Sequence, residues 1–595
     1  MDLHPLDIAI IATYLLGMVV IGFIAERRAR KGLQDYYLGG NKMPWWVLSM
    51  SNATTMFDVS GTMWLVSLLY VYGLKSVFIP WLWPVFNQVF LMVYLSVWVR
   101  RSGAITGAEW ITLRFGNDRG AEASRISVVV FALVSVIGFT SYAFVGIAKF
   151  ADVYLPDVLS PSTYALIIVG VTTFYTALGG LYSVVFTDLI QMVIKLLCSV
   201  AIGVIAMRLV APEALAAVVP AGWHDIAFGW WLDVDWSKLM PAAQLQIERD
   251  GFTMFGAFFM MMVFKGILVS MAGPAPNYDM QRILAAKSPR EAAMMSGLVT
   301  VVLFSPRYFM IAGITVMALV LYGQSTSGAT TLDFEQVMPI VIRDHVPVGL
   351  SGLLIAGMLA AFMSTFSGTI NAAAAYLVND VYKRYVRPAA IEREYIYASY
   401  VASIAVVVAG CAAGLKTESV HKATTWIVAA LWGGYAAPNF LKWHWWRLNG
   451  WGYFWGMMGG IVVAVGLLAF PNVNPVWAFP FLFAVSLAST VVGSLCTEPE
   501  DTRVLVEFYT RTRPWGWWGP VHGAAVASDP GFRPNRDFRR DVFNVLVGIA
   551  WQTSFIALPI YCVLRHWPAV AICATIIAVT STILKFSWYD RLEST

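Results

Sequence analysis

Long apolar stretches follow one another along nearly the whole 595-residue chain and are separated by short polar segments. A helix needs roughly 20 consecutive apolar residues to cross about 30 Å of hydrocarbon, and many of these stretches have that length. The pattern therefore predicts an all-α polytopic membrane protein with about fifteen spans. We place them near residues 5–25, 44–72, 76–98, 124–152, 162–180, 183–210, 253–275, 292–322, 348–380, 395–414, 418–444, 451–470, 476–496, 541–565 and 567–587.

The basic residues between these spans indicate an orientation. With the N-terminus outside, every basic cluster falls on the cytoplasmic side, as the positive-inside rule requires. We therefore expect a multi-pass protein of the cell (inner) membrane with a cytoplasmic C-terminus. The clusters lie at 27–31, 100–101, 114–125, 282–290, 383–393, 442–447 and 503–540.

Two blocks of five spans, 44–210 and 253–444, would have opposite orientations because five is an odd number. Opposite orientation is what an inverted structural repeat requires. The segment 497–540 mixes Arg with Trp, so we interpret it as a linker along the inner membrane surface, with a partner-binding or regulatory role as the alternative. The other predicted segments are an N-terminal helix with its loop, an external loop, accessory helices and two C-terminal helices, at 1–43, 211–252, 445–496 and 541–595.

Composition supports the membrane interpretation and removes other classes of protein. Hydrophobic residues make up 58% of the chain, charged residues only 13%, and the mean hydropathy is +0.67, which excludes a soluble enzyme of this size. The net charge of +5 does not indicate nucleic-acid binding, because membrane topology already accounts for the basic loops. The five cysteines and seven histidines are scattered without metal-site or disulfide spacing. The first span has no cleavage site after it, so we expect it to be retained.

The second span carries an unusual density of polar residues at 51–62, among them Asp58 and Ser60. Such residues are costly at membrane depth unless they face a cavity or an ion. We expect Asp58 to be neutral, to pair with a base or to lie near a bound cation, and a purely structural hydrogen bond is the alternative. Small polar residues and Gly61 also permit local unwinding, which would expose backbone carbonyls to a small cation.

A second polar group lies in the ninth span, where Ala361, Ser364 and Thr365 share one helical face. Hydroxyl and carbonyl oxygens without several carboxylates suit an alkali cation, and sodium is the natural candidate. The alternative is that small residues only allow neighbouring helices to pack closely.

Further polar residues stand alone within apolar stretches. Asp188 and Lys195 are seven residues apart on one helical face and could form an internal pair. Lys265 is a candidate functional charge, with snorkelling toward the interface as the alternative. Asn87 and Trp432 could hydrogen-bond and stack against a solute, or simply pack. The predicted solute-binding set consists of Lys265, Asn87 and Trp432 together with Asp58 and Ser60. The whole pattern of polar residues within apolar spans predicts a secondary transporter.

Four motifs resemble the sodium:solute symporter family, which includes sodium-coupled galactose, proline and sialic acid transporters. They are DYYLGGNKMPWW at 35–46, GGLYSVVFTDLIQ at 179–191, QRILAAKS at 281–288 and NDVYK at 379–383. Their order and their placement on the helices also match the family. The resemblance implies a LeuT-like core of two inverted five-helix repeats, with one extra helix before it, about four after it, and solute and ion near the bilayer midplane.

The resemblance also implies a sodium site. Its ligands would be the carbonyls of Thr54, Phe57 and Ala361 with the hydroxyls of Ser364 and Thr365. The segment 58–61 is similar to the Asp-x-Ser-Gly of proline-type members, and aligning it would instead use the carbonyls of Met56 and Val59.

A second sodium, as in relatives similar to the sialic acid symporters, would use Asp188, Ser364 and Ser367, although Gly368 replaces a hydroxyl of that pattern. The galactose-type sugar contacts are missing, so galactose should not be bound in that manner. The replacing residues are Pro80, Val269 and Ala272.

We therefore expect a sodium-coupled symporter in the lipid bilayer that imports a small polar organic solute, such as a sugar, sugar acid or amino acid, by alternating access. Proton coupling through Asp58 or Asp188 is the alternative within transport. A transporter-like solute sensor is the alternative outside it, and an enzyme is disfavoured because no nucleophile or metal constellation is found.

Overall fold

The computed structural model describes residues 4–29, 33–83, 85–155, 158–274, 278–326, 332–417, 420, 427, 431–470 and 473–592. Within these ranges the chain is predominantly helical and forms no β-strand, only an isolated bridge between Trp445 and Trp517. The prediction of an all-α protein is confirmed. Residues 30 and 31 of the first basic cluster, and most of the first half of the predicted span 418–444, lie outside the described residues.

The helices up to the middle of the chain are α1 (Pro5–Ala29), α2 (Leu33–Leu38), α3 (Trp45–Met56), α4 (Val59–Tyr72), α5 (Asn87–Phe90), α6 (Ser96–Arg101), α7 (Gly107–Phe115), α8 (Arg119–Tyr154), α9 (Pro161–Leu209), α10 (Pro212–Val218), α11 (Pro241–Asp250) and α12 (Phe255–Met271). Those that follow are α13 (Tyr278–Ala285), α14 (Pro289–Thr326), α15 (Val337–His345), α16 (Leu350–Ala375), α17 (Glu392–Gly414), α18 (Trp432–His444), α19 (Gly450–Gly466), α20 (Pro475–Leu495), α21 (Thr502–Thr512), α22 (Gly519–Ser528), α23 (Phe538–Val563) and α24 (Trp567–Ser587).

Eight segments of the described chain are helices long and apolar enough to cross a membrane, and the number rises to ten if each of two bent pairs is one span. The predicted span 76–98 is not a single helix. Pro80 lacks the N–H that a continuing helix needs, and the chain makes short 3₁₀ turns before helix resumes at Asn87. The predicted spans 162–180 and 183–210 run together in α9. The count of fifteen, the domain boundaries and the inverted repeat stay predictions.

Burial separates central from peripheral helices. In Leu350–Val386, 94% of the most apolar stretch is buried inside the protein, whereas only 17% of the corresponding stretch of Trp567–Arg591 is buried. The outward side chains of that last helix include Ile572 and Phe586, which a lipid environment accommodates without cost. The ninth predicted span is therefore at the core, and the last helix lies at the rim.

At the centre of the bundle, α3 and α4 form one broken helix, bent by 61°. Phe57 (φ −89°, ψ 71°) and Asp58 (φ −92°, ψ 158°) leave the helical conformation between its two halves. Helices α8, α9, α14 and α16 pack around the broken helix. The polar second span is therefore interrupted where its sequence permits unwinding, and it is enclosed by other helices.

The linker 497–540 is fixed to the bundle by α21 and the residues after it. The Trp518 indole donates to the Trp443 carbonyl at 3.0 Å. The Trp515 ring stacks on that of His444, with the two ring centres 4.5 Å apart. Arg511 donates to the Arg101 carbonyl at 3.0 Å. The Trp and Arg residues that suggested a position along the membrane surface thus make protein contacts, and a regulatory role stays a hypothesis.

Candidate cation and solute sites

The break in the central helix leaves a carbonyl oxygen without its usual helical partner, because the Asp58 carboxylate accepts a hydrogen bond from a backbone N–H in its place. The N–H of Gly61 donates to Asp58 Oδ2 at 2.8 Å, so Asp58 acts as the N-cap of α4. In a continuous helix that N–H would have bonded the Phe57 carbonyl. The Phe57 oxygen is therefore left to bind a group from another helix.

The group it binds is the ammonium of Lys195, on α9. Lys195 Nζ donates to the Thr54 carbonyl at 2.7 Å and to the Phe57 carbonyl at 2.9 Å, and Lys195 is fully buried. Its ammonium also lies 5.5 Å from the centre of the Phe57 ring, within the range of a cation–π contact. The two carbonyls expected to bind sodium thus converge on one point, and a side-chain cation lies there.

Asp58 pairs with Arg307 of α14. The guanidinium lies 3.0 Å from Asp58 Oδ1, and the Tyr142 hydroxyl of α8 donates to Oδ2 at 2.5 Å. Arg307 also donates to the carbonyl of Met56, one of the two in the alternative alignment, at 2.9 Å. Neither Arg307 nor Tyr142 is among the residues predicted from the sequence. The charge of Arg307 inside the apolar stretch 292–322 is the signal that could have identified it.

Asp188 pairs with Arg282 rather than with Lys195. Arg282 Nη2 lies 3.3 Å from Asp188 Oδ2, and hydroxyls of Ser51 and Ser364 donate to the same carboxylate at 2.5 and 2.6 Å. The predicted Asp188–Lys195 pair is wrong, because Lys195 reaches the carbonyls of the break instead. Arg282, which the sequence groups with a cytoplasmic basic cluster, has a side chain that is fully buried against the broken helix. The side of the membrane on which that cluster lies stays a prediction.

The oxygen-bearing face of α16 lies against the broken helix. The Thr365 hydroxyl contacts the Thr55 carbonyl at 2.5 Å and the Ala361 carbonyl at 3.1 Å. Ser364 contacts Asp188, as described above, and its hydroxyl lies 3.4 Å from that of Thr55. The expected ligands from α16 therefore adjoin the break, although each hydroxyl donates to a protein acceptor.

The second expected sodium site has a different arrangement. The Ser367 hydroxyl donates to the Ser364 carbonyl of its own helix at 3.1 Å, while Arg282 approaches Gly368 so closely that a Cβ there would lie 3.3 Å from Nη2. The missing side chain at position 368 leaves room for this guanidinium. The charge beside Asp188 is thus supplied by Arg282.

Aromatic rings connect the break to Trp432. The ring centre of Trp83 lies 6.4 Å from that of Trp432 and 5.8 Å from that of Phe139. The ring centre of Phe139 lies 6.5 Å from that of Tyr142, whose hydroxyl donates to Asp58. Between residues 51 and 60, only Met56 and Asp58 are more than marginally exposed. Two members of the predicted solute-binding set, Asp58 and Trp432, are therefore linked by one continuous aromatic wall.

The remaining members have different surroundings. Ser60 packs against Gly146 of α8, with its hydroxyl 3.4 Å from the Tyr142 carbonyl. Lys265 donates to the Leu82 carbonyl at 2.8 Å and is fully buried. Asn87 is buried at the start of α5, and its Oδ1 has no hydrogen-bond partner in the described part of the chain. Solute binding by these three residues stays a prediction.

A third buried carboxylate, Asp279, opens α13. Asn52 and Gln88 donate to its Oδ1 at 2.8 and 3.2 Å, so it joins α13 to α3 and α5. Asp279 is not among the residues predicted from the sequence, although it lies two residues before the motif that begins at Gln281. It adds another acid to the polar centre of the bundle.

Comparisons with known proteins identify the family of this chain. The profile described as "Sodium:solute symporter family" matches residues 36–460. Similar proteins include sodium/glucose cotransporter 4 of Danio rerio, 24% identical over 86% of this chain and 82% of that protein, and a sodium/mannose cotransporter of Bos taurus, 24% identical over 87% and 90%.

Among solved structures, a Na⁺-coupled sialic acid symporter in a substrate-bound outward-open state has the same fold. The two structures superimpose with a TM-score of 0.66 at 17% sequence identity. The match covers 84% of this chain and 99% of the other. The family profile extends over well more than half of the present chain. The chain therefore belongs to the sodium:solute symporter family, whose members are sodium-coupled secondary transporters and not enzymes.

Proposed function

We propose that this protein imports a small, neutral, polyhydroxylated solute together with sodium by alternating access. The observation that carries the solute class is the Asp58–Arg307 ion pair at 3.0 Å, beside the aromatic wall. Each of these charges already has an opposite charge as its partner. A charged solute would have to break that pair, and leaving one buried charge uncompensated is costly.

Neutral hydroxyl groups suit the rest of this wall. The rings of Trp83 and Trp432 offer apolar faces for the C–H groups of a polyol. Trp432 Nε1 and Asn87 Oδ1 are a buried donor and a buried acceptor without a partner among the described residues. An unpaired buried polar group costs about 1–3 kcal/mol, which hydroxyls of a bound solute would recover.

The names of the relatives point to the same chemistry. They include sodium/glucose, sodium/mannose and sodium/myo-inositol cotransporters, whose named solutes are all neutral polyhydroxylated compounds. The galactose-type contacts are absent at Pro80, Val269 and Ala272. We therefore assign recognition to other residues, chiefly Trp432 and Asn87.

For sodium we propose the break of the central helix, with the carbonyls of Thr54 and Phe57 on one side and Ala361, Ser364 and Thr365 of α16 on the other. The convergence of the first two carbonyls within 3 Å of Lys195 Nζ supports this location. Oxygen ligands of this kind suit an alkali cation. A second sodium at Asp188 and Ser367 has weaker support, since Arg282 already neutralises that carboxylate.

Proton coupling through Asp58 or Asp188 has no comparable support. Each carboxylate is ion-paired with an arginine, at 3.0 and 3.3 Å. A proton taken up by either carboxylate would leave a buried arginine charge uncompensated, which is costly. A proton carrier must lose its charge during the cycle. We therefore retain sodium as the coupling ion.

We also propose that the N-terminus is outside and the C-terminus cytoplasmic in the cell (inner) membrane. The support is that one orientation places all the basic clusters between spans on the cytoplasmic side.

A thermal-shift screen of the purified protein tests the solute class. Glucose, mannose and myo-inositol should raise Tm by an amount that grows with their concentration, and more in sodium chloride than in choline chloride, because ligands stabilise the state they bind. Anionic sugar acids and charged amino acids form the comparison set. Stabilisation by the charged compounds alone would contradict the proposal. Asn87→Leu should reduce the shift with the polyol while leaving the protein monodisperse.

A further inference from the structure

Lys195 differs from the other cations around the broken helix in what it binds. Arg307 and Arg282 each face an aspartate carboxylate. Lys195 instead donates to the two backbone carbonyls of Thr54 and Phe57, and no described carboxylate lies within 4 Å of its ammonium. Its observed hydrogen bonds therefore go to peptide carbonyls at the break and not to a carboxylate.

Two carbonyl oxygens that converge on one point are half of an oxygen site for a small cation. A sodium ion bound to the Thr54 and Phe57 carbonyls would need the volume that Lys195 Nζ fills, at 2.7 and 2.9 Å from those oxygens. Because Lys195 is fully buried, little water is present to screen repulsion between two positive charges at such short range. One cation at a time can hold these carbonyls.

The charges nearby do not remove this conflict. Asp188, on the same helix as Lys195, is paired with Arg282, and Asp58, beyond the break, is paired with Arg307. The ammonium is also covalently attached to α9, so its effective concentration at the carbonyls is high whenever sodium leaves.

We propose that the Lys195 ammonium is a tethered competitor of sodium at the break of the central helix. It satisfies the Thr54 and Phe57 carbonyls when sodium is absent, and sodium must displace it to bind there. This inference rests on the proposed function, because it needs sodium as the co-transported ion. Its consequence is a sodium affinity set by the competition and lower than the oxygen ligands alone would provide.

Sodium titration of purified wild-type and Lys195→Met proteins tests the competition, with choline replacing sodium at constant ionic strength. Methionine fills a similar volume without a charge. The sodium midpoint, defined as the dissociation constant fitted to the logarithmic rise of Tm with sodium concentration, should fall at least tenfold in Lys195→Met. Its Tm in choline should lie below that of the wild type, because two buried carbonyls lose their donor.

Two further variants serve as controls. Lys195→Arg keeps the charge and should keep the weak sodium response. Lys75→Met removes a buried ammonium from two other carbonyls, those of Gly222 and Asp225, and should leave the sodium midpoint within twofold of the wild type. A sodium midpoint in Lys195→Met that is unchanged, or higher than in the wild type, would overturn the competition.

Lys195→Gln serves if the methionine variant does not fold, because glutamine keeps an N–H donor for the carbonyls but carries no charge. Its sodium midpoint should also fall, and an unchanged midpoint overturns the inference. Sodium-driven uptake by the wild type separates this result from the proposed function. If uptake ignores sodium while the uncharged variants bind it tightly, the proposed coupling fails and the competition stands. If uptake requires sodium and neither variant binds it more tightly, only the competition fails.

Discussion

The guanidinium of Arg307 lies 3.0 Å from the carboxylate of Asp58, at the point where the central helix breaks. The carboxylate caps the second half of that helix through Gly61, and the guanidinium holds the Met56 carbonyl at the end of the first half. The pair therefore stabilises both ends of the break. It also makes the wall beside the aromatic rings electrically neutral.

Removing either member of this pair should destabilise the protein. Asp58→Asn leaves Arg307 without its carboxylate, and the two side chains are only 13% and 9% exposed. Breaking a buried pair of this kind costs about 3–5 kcal/mol. We expect a comparable loss in the free energy of unfolding for Arg307→Gln. The double variant should lose less than the sum of the two, and denaturation of all four proteins measures the difference. Strict additivity would show that the pair makes no joint contribution.

Replacing the two hydroxyls of α16 should weaken the response to sodium. In Ser364→Ala/Thr365→Ala, two oxygen ligands of the proposed sodium site are lost, and the half-saturating sodium concentration for uptake should rise at least tenfold. Ser351→Ala, on the same helix but about 20 Å away along its axis, is the matched control and should behave as the wild type. An unchanged sodium requirement in the double variant would exclude α16 from the site.

Gly146 allows α8 to approach the broken helix. A Cβ at this position would lie 1.9 Å from the Ser60 hydroxyl oxygen, so Gly146→Ala must push α4 and α8 apart. We expect a loss of about 1–3 kcal/mol, typical of overpacking, together with reduced uptake. Adding Ser60→Gly should restore much of the lost stability. Gly170→Ala, where nothing lies within 4 Å, should cause no loss. Failure of the second substitution to rescue Gly146→Ala would place the strain elsewhere.

Glu500, in the linker before α21, should make stability depend on pH. Burial raises its pKa to about 7, although the Gly450 N–H donates to its carboxylate at 2.6 Å. The unfolded pKa is about 4.3, so between the two values only the folded state keeps the proton. This contribution to stability is complete below about pH 4 and is lost as pH rises through 7.

Glu500→Gln cannot ionise, so its Tm relative to the wild type should rise between pH 5 and pH 8. Glu498→Gln, at an exposed neighbouring position, is the control and should show no such trend. If the Tm difference between Glu500→Gln and the wild type stayed constant from pH 5 to pH 8, the raised pKa of Glu500 would be contradicted.

The helical class and the central position of the polar second and ninth spans could be predicted from the sequence, because each depends on local composition. The residues 361–365 are a clear case, since helical spacing alone places their oxygens on one face. The interruption near Pro80 was missed because the segment 76–98 was judged by its length and many apolar residues, although Pro80 cannot donate a backbone hydrogen bond there.

The partners of the buried charges could not be predicted in this way. Lys195 is seven residues from Asp188, which suggested a pair, but the packing of α9 against the broken helix brings its ammonium to two carbonyls instead. Arg282 was grouped with the neighbouring basic residues, and that position in the sequence did not reveal its contacts with Asp188 and with Ser51 of the broken helix. These contacts join helices far apart in the chain, so spacing within one helix carries no information about them.

Uptake into proteoliposomes tests sodium-coupled symport most directly. The protein is reconstituted with choline inside, and accumulation of the labelled polyol that stabilised it most in the thermal-shift screen is measured with sodium or choline outside. We predict concentrative uptake with an inward sodium gradient, abolished when an ionophore dissipates that gradient and absent from protein-free vesicles. Equal uptake in choline and in sodium would contradict sodium-coupled symport.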